Sequence, residues 1–185
     1  MDTTVLIALI SAVVGPVAIL LLKNYLDKQK GKNGLEKSID SYKKIGDEIE
    51  EILEEFNAHR VWMIQFHNGG NFYPTGKSIQ KFSMFYESTC SSKVPRIQQY
   101  YQNIPVSIFN KAFSHISKYG EILIKDRIDE SIPTYGLKYA MEDASSLSAY
   151  LFRVETIDQK FIAVVGVDFI EKTEISQEDL QKIRI

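Results

Sequence analysis

The sequence predicts an α+β domain, an antiparallel sheet flanked by helices, from three observations: a long amphipathic helical stripe, two alternating strands around a polar loop, and a C-terminal hairpin followed by an amphipathic end. Leu35, Tyr42, Ile49 and Phe56 recur every seven residues, with Ile39, Ile45, Ile52 and Leu53 on the same side and eight acids on the other. That spacing is the apolar face of a helix over residues 35–56. Ser38 and Gly46 interrupt a strict coiled-coil seam. The stripe therefore suits packing on its own domain as well as pairing with the same helix of a second subunit, a homodimer.

The remaining elements follow in order. Residues 61–66 (VWMIQF) are an apolar strand, and residues 82–87 (FSMFYE) alternate Phe82, Met84, Tyr86 against Ser83, Phe85, Glu87. Helices are expected over 95–102 and 105–119, where Pro105 suits a first turn and Gly120 a C-cap. A short strand at 121–125, a short helix at 135–143 and a hairpin of 147–155 with 160–170, turning at Ile157, Asp158 and Gln159, come next. Ser176, with Asp179 at the box position, opens a last helical stretch.

Residues 3–22 carry no charge over 20 positions. At about 1.5 Å rise per residue, a helix of that length crosses a hydrocarbon core of roughly 30 Å. Asp2 stands where a secretory signal wants positive charge, and Leu20, Leu21 and Leu22 stand where it wants a cleavage site, so the segment reads as a retained anchor. Lys23, Lys28, Lys30 and Lys32 follow with only Asp27 against them, which places the C-terminal side in the cytoplasm. The expected organisation is a transmembrane helix at 1–23, a basic linker at 24–34 and a cytosolic domain at 35–185.

Over the whole chain 22 basic residues face 24 acidic ones, for a net charge of −2. That balance argues against nucleic acid as a partner. Cys90 is alone, suits a reducing compartment and reads as an inert half-buried thiol. His59, His67 and His115 fall in separate elements with no second ligand at metal spacing, so no metal site is expected.

The most suggestive segment is the loop from His67 to Gly76. Gly69 and Gly70 let a backbone approach a ligand, and His67, Asn68 and Lys77 supply polar contacts; the same residues also make a tight turn bonded to its own backbone. Gly-Lys-Ser at 76–78 lacks the upstream glycine spacing of a Walker loop. By alternation Ser83 and Glu87 share one side of their strand, as pocket-lining groups or as partners for Arg60 or Lys81, and Asp168 faces outward. Six tyrosines, Tyr100, Tyr101, Tyr119, Tyr135, Tyr139 and Tyr150, gather in and around the helical insert; they suit a pocket rim or an interface and read first as core-edge residues.

This order of elements resembles the GAF domain, a relative of PAS. Arg60, the run Phe66-His67-Asn68-Gly69-Gly70, Phe72, Gly76, Ser78, Lys81, Ser83, Tyr86 and Glu87 look like the first hairpin of GAF-like domains of uncharacterised bacterial and phage proteins. The resemblance, over residues 35–185, implies a five- or six-stranded sheet with helices on one side and a ligand pocket. It implies a non-catalytic membrane-anchored sensor or adaptor that binds an unidentified small molecule or protein partner, with no cofactor specified. The alternative is a phage structural or lysis-related membrane protein, a virion component or holin regulator, that uses the fold as an assembly surface. In either case output is expected to pass through a partner, an oligomer or the membrane helix.

Overall fold

The computed structural model describes residues 34–180 apart from 73, 129–134 and 177. The expected membrane helix, and the basic linker up to residue 33, lie outside the described residues. Among the described residues no helix is long and apolar enough to cross a membrane.

Helix α1 spans Gly34–Glu55. Chain packing divides the protein between Ile45 and Gly46, and the two stretches of α1 fall in different units. In the first, Leu35, Ile39 and Tyr42 are exposed. In the second, the same heptad stripe is buried at Ile49 and Leu53, which belong to the core of the domain.

The domain from residue 46 onward is built on one six-stranded antiparallel sheet in the order β3-β2-β1-β6-β5-β4. Its strands are β1 (Arg60–Asn71), β2 (Ser78–Thr89), β3 (Ile104–Pro105), β4 (Glu121–Ile124), β5 (Ser148–Glu155) and β6 (Phe161–Phe169). Helices α2 (Asn110–Tyr119) and α3 (Tyr135–Asp143) cover one face. There Ala112, Ile116, Leu137 and Met141 pack with Trp62, Ile64, Phe82, Met84, Leu151 and Val164 in one apolar cluster. The opposite face is buried at Val61, Tyr150, Val167 and Phe169.

The α+β sheet, α1, α3 and the C-terminal hairpin match the sequence expectations closely. Gly120 is the left-handed C-cap of α2, at φ 86°, with its N–H on the Ile116 carbonyl. Ser176 accepts the Asp179 N–H while donating its hydroxyl to the Asp179 carboxylate, as a capping pair should.

Three expectations are corrected. The helix expected over 95–102 is a single 3-10 turn, Gln98–Tyr100. The segment gives up helical bonds for sheet-edge bonds: the Met84 N–H reaches the Tyr101 carbonyl, and Gln98 and Gln102 amides reach the Phe85 and Met84 carbonyls. Helix α2 starts at Asn110 rather than at 105, because Pro105 pairs in β3 and a 3-10 turn, Val106–Phe109, intervenes. The third correction concerns the loop from His67. Strand β1 continues through Gly70 to Asn71, so the turn begins only after it, closed by the Phe72 N–H on the Lys77 carbonyl and the Gly76 N–H on the Phe72 carbonyl.

Candidate functional site

The register of the first hairpin decides what faces the helices. Trp62 pairs with Glu87 and Met63 with Tyr86, but Ile64 pairs with Met84, so Phe85 is an extra residue, a β-bulge. The bulge breaks the alternation of the sequence. Glu87 therefore lies on the same face as Met84 and Phe82, with Arg60, Trp62 and Ile64, whereas Ser83 points to the other face and Phe85 is exposed. The expectation that Glu87 and Ser83 share a side fails for this reason.

Against the helix-bearing face lies a cavity of about 60 Å³ bounded by the sheet, α2, α3 and the 97–101 segment. Its wall is aliphatic and aromatic, with Trp62, Phe82, Tyr101, Phe109 and Phe113 contributing rings; Asp168 supplies the one carboxylate. Three of those rings interlock edge to face, Phe82 lying 5.6 Å from Phe109 and 5.4 Å from Phe113 between centroids. Trp62 owes its place to Gly166 directly across the ladder. A Cβ there would stand 2.2 Å from the indole Cε2 and Cζ2 atoms.

At the polar end of this wall Arg60 is fully buried and acts as a clasp. Its Nη1 donates to Asp168 Oδ2 at 3.1 Å and to Ser146 Oγ at 3.2 Å; its Nη2 donates to the carbonyls of Ala144 and Pro95. Its Nε lies 3.1 Å from Glu87 Oε1 but off the line needed for a hydrogen bond, so that contact is Coulombic. Glu87 in turn accepts the N–H groups of Ile97 at 2.8 Å and Gln98 at 3.1 Å. One guanidinium thus ties β2, β6, the 95–98 segment and the end of α3, and two of those ties hold walls of the cavity.

Asp168 faces inward and is buried, which overturns its outward placement by alternation. Burial pushes its carboxyl above the usual range, against the pull of Arg60, the Trp62 indole and Ser146. The Trp62 N–H is itself buried without a well-formed hydrogen bond. Tyr101 is half-buried on the same wall, its phenol pushed up to about 12 by burial and then by Asp143 and Asp168, with Arg60 opposing.

The sequence-chosen residues fall into separate groups. His67 Nε2 lies 2.9 Å from Ser83 Oγ, which also accepts the Asn103 N–H at 2.9 Å, on the face away from the cavity. Asn68 Oδ1 accepts from Ser78 at 2.9 Å and from Gln80 at 3.1 Å. Gly69 leaves room for the Lys81 stem, and Gly70 takes φ 98°. Lys77 is exposed in the turn and joins none of the others. Of the seven, only Glu87 reaches the cavity's ionic network. Cys90 is exposed rather than half-buried. His67 and Asn68 bond within their own hairpin, so replacing both by alanine is expected to cost about 1–2 kcal/mol, by the same amount with and without a cavity ligand, in urea unfolding.

What sequence reading missed is the Arg60–Asp168 pair. The available signal was an ionisable residue inside an apolar strand, in the run Val165-Gly166-Val167-Asp168-Phe169, opposite an arginine opening another strand.

The sequence matches no family model and no curated protein. Solved structures share the fold. The phycocyanobilin-bound GAF domain of a cyanobacterial phytochrome superposes with a TM-score of 0.57 at 13% identity, over 80% of this chain and 81% of that one. The blue-light-absorbing form of the Thermosynechococcus elongatus PixJ GAF domain gives 0.57 at 13%, over 78% and 79%. The GAF/HD domain protein of Geobacter sulfurreducens gives 0.53 at 9%, over 77% and 84%. The domain therefore has a GAF-like fold.

Proposed function

We propose that this domain is a non-catalytic sensor or adaptor that holds a small, largely apolar molecule in the cavity between the sheet and helices α2 and α3. The observation that carries this is the cavity itself, bounded by apolar side chains and ending at a buried ionic clasp. Close-packed cores hold few voids larger than a water molecule, which makes a cavity of this size the candidate binding space. The phytochrome neighbour is bound to phycocyanobilin, and about 60 Å³ is far too small for a tetrapyrrole, so the molecule here is much smaller. A ligand touching Asp168 would bear on Arg60 and through it on the 95–98 segment and the end of α3, which offers a route from occupancy to surface shape. The uncharged span at 3–22 and the lysines after it favour presentation of the module on the cytoplasmic side of a membrane. A second reading, an assembly surface, is favoured by the exposed Leu35 and Ile39 on the first stretch of α1.

Native mass spectrometry of the full chain purified from cells tests the cavity reading. A retained small molecule, released on denaturation, is expected. Ala149→Val adds two methyl groups on the cavity wall of β5 and should abolish retention while changing stability by less than about 1.5 kcal/mol. Absence of any retained molecule, with no thermal stabilisation by a small-molecule library, would sink the reading.

A further inference from the structure

We infer that the groove outside this cavity holds the head group of a free α-amino acid with a small apolar side chain. The ammonium lies toward Asp143, the carboxylate toward Lys111, and the side chain enters the cavity. This assignment rests on the cavity reading above and names the chemical class of the occupant.

The groove, of about 390 Å³, shares Tyr101, Phe109, Ala112, Leu137 and Ala140 with the cavity, so one molecule can reach both. Among the described residues that line it two are charged, with opposite signs: Lys111 on α2 and Asp143 on α3. Neither makes an ion pair, with the other or with any other described residue. Both stand at the unfavourable end of their helices. Lys111 lies in the first turn of α2, which carries no acid, and adds a cation to the positive end of the helix dipole. Asp143 is the last residue of α3, whose last turn carries no base, and adds an anion to the negative end. Each charge thus costs its own helix stability and gains no partner within the fold. A bound molecule that brings the opposite charge to each accounts for both placements.

Coulomb's law then selects a zwitterion. A ligand of one charge is attracted by one of these groups and repelled by the other, whereas an amino acid gains from both. Lys111 reaches from a flexible four-carbon stem, and Asn110 and the Tyr101 hydroxyl line the same groove as further partners for a polar head. Burial and then Asp143 push the Tyr101 phenol up to about 12, which puts that carboxylate near the residue shared by groove and cavity. The cavity selects the side chain. Its wall is aliphatic and aromatic, so a charged head would lose its hydration there, and only the apolar end of the molecule enters. A volume of about 60 Å³ takes a side chain of a few carbons and excludes an indole.

The experiment is calorimetric titration of the full chain with three matched probes: L-valine, 3-methylbutanoate, which is valine without its ammonium, and 2-methylpropan-1-amine, which is valine without its carboxylate. L-valine is expected to bind about tenfold tighter or more than either. Lys111→Gln should erase its advantage over the amine, and Asp143→Asn its advantage over the carboxylate. Without ligand both variants should melt no lower than the parent, because each relieves a helix end. L-tryptophan, whose indole exceeds the cavity, should bind about tenfold more weakly than L-valine. Equal binding of the three matched probes, an advantage of L-valine that survives both variants, or equal binding of L-tryptophan overturns the amino-acid inference and leaves the cavity reading standing. Binding of none, while native mass spectrometry still shows a retained molecule of another kind, likewise overturns only the amino-acid inference. Binding of none, with no retained molecule at all, removes both.

Discussion

Replacing Arg60 with methionine is expected to destabilise the domain by about 3–5 kcal/mol in urea unfolding at neutral pH, the usual cost of stranding a buried ion-pair partner. Methionine keeps an unbranched apolar stem, so packing along the stem largely survives and the loss is electrostatic. Glu87 would retain its two backbone donors, and Asp168 its Ser146 partner, but both carboxylates would be buried without a countercharge. The Pro95 and Ala144 carbonyls would lose their donor as well. Removing the other partner should act very differently. Because burial raises the Asp168 carboxyl in the folded state, the fold binds its proton more readily than the unfolded chain does. Stability from this group is therefore fully present below the ordinary carboxylate pKa and is lost as pH rises through the raised folded value. Asp168→Asn should abolish that decline and cost far less at neutral pH than Arg60→Met. Equal costs for the two variants would show that the ion pair itself, rather than the burial of the Asp168 carboxyl, governs this part of the core.

The contrast between the two ends of this ion pair also shows what could be read from sequence. The class of fold was readable because heptad spacing in α1 and alternation in β5 and β6 are local patterns, and the observed elements lie within a few residues of them. The expectation of a membrane span rests on an equally local pattern, 20 uncharged positions, and it falls outside the described residues. The site was not local. Glu87 reaches Arg60 only because one extra residue at Phe85 shifts the register, and nothing in FSMFYE announces a bulge. Asp168 follows strict alternation in a strand buried on both faces, where alternation no longer distinguishes inside from outside. His67 and Asn68 attracted notice as polar residues beside glycines. The strand simply continues through them, so their polarity serves the hairpin and not the cavity.

Gly166→Val should lower stability by about 1–3 kcal/mol and remove ligand binding together, because one glycine makes space for the indole that forms the cavity wall. The added Cβ would stand 2.2 Å from two ring carbons of Trp62, a distance no real Cβ contact tolerates, and the indole is 9% exposed, so it cannot swing freely into solvent. The open direction is the cavity, whose volume of about 60 Å³ the displaced ring would consume. Two terms oppose each other here. Valine favours a strand over glycine by up to about 1 kcal/mol, while the steric displacement costs more, and the net sign is set by the buried ring. Trp62 is the chain's single tryptophan, so its emission reports the displacement directly. The expected result is a shifted emission maximum, a lower urea midpoint and no retained small molecule. Adding Trp62→Leu to Gly166→Val should recover part of the lost stability, a non-additivity that identifies the clash as its source. Unchanged emission and an unchanged urea midpoint in Gly166→Val would mean that the indole does not lie against Gly166, and the cavity wall drawn from it would have to be abandoned.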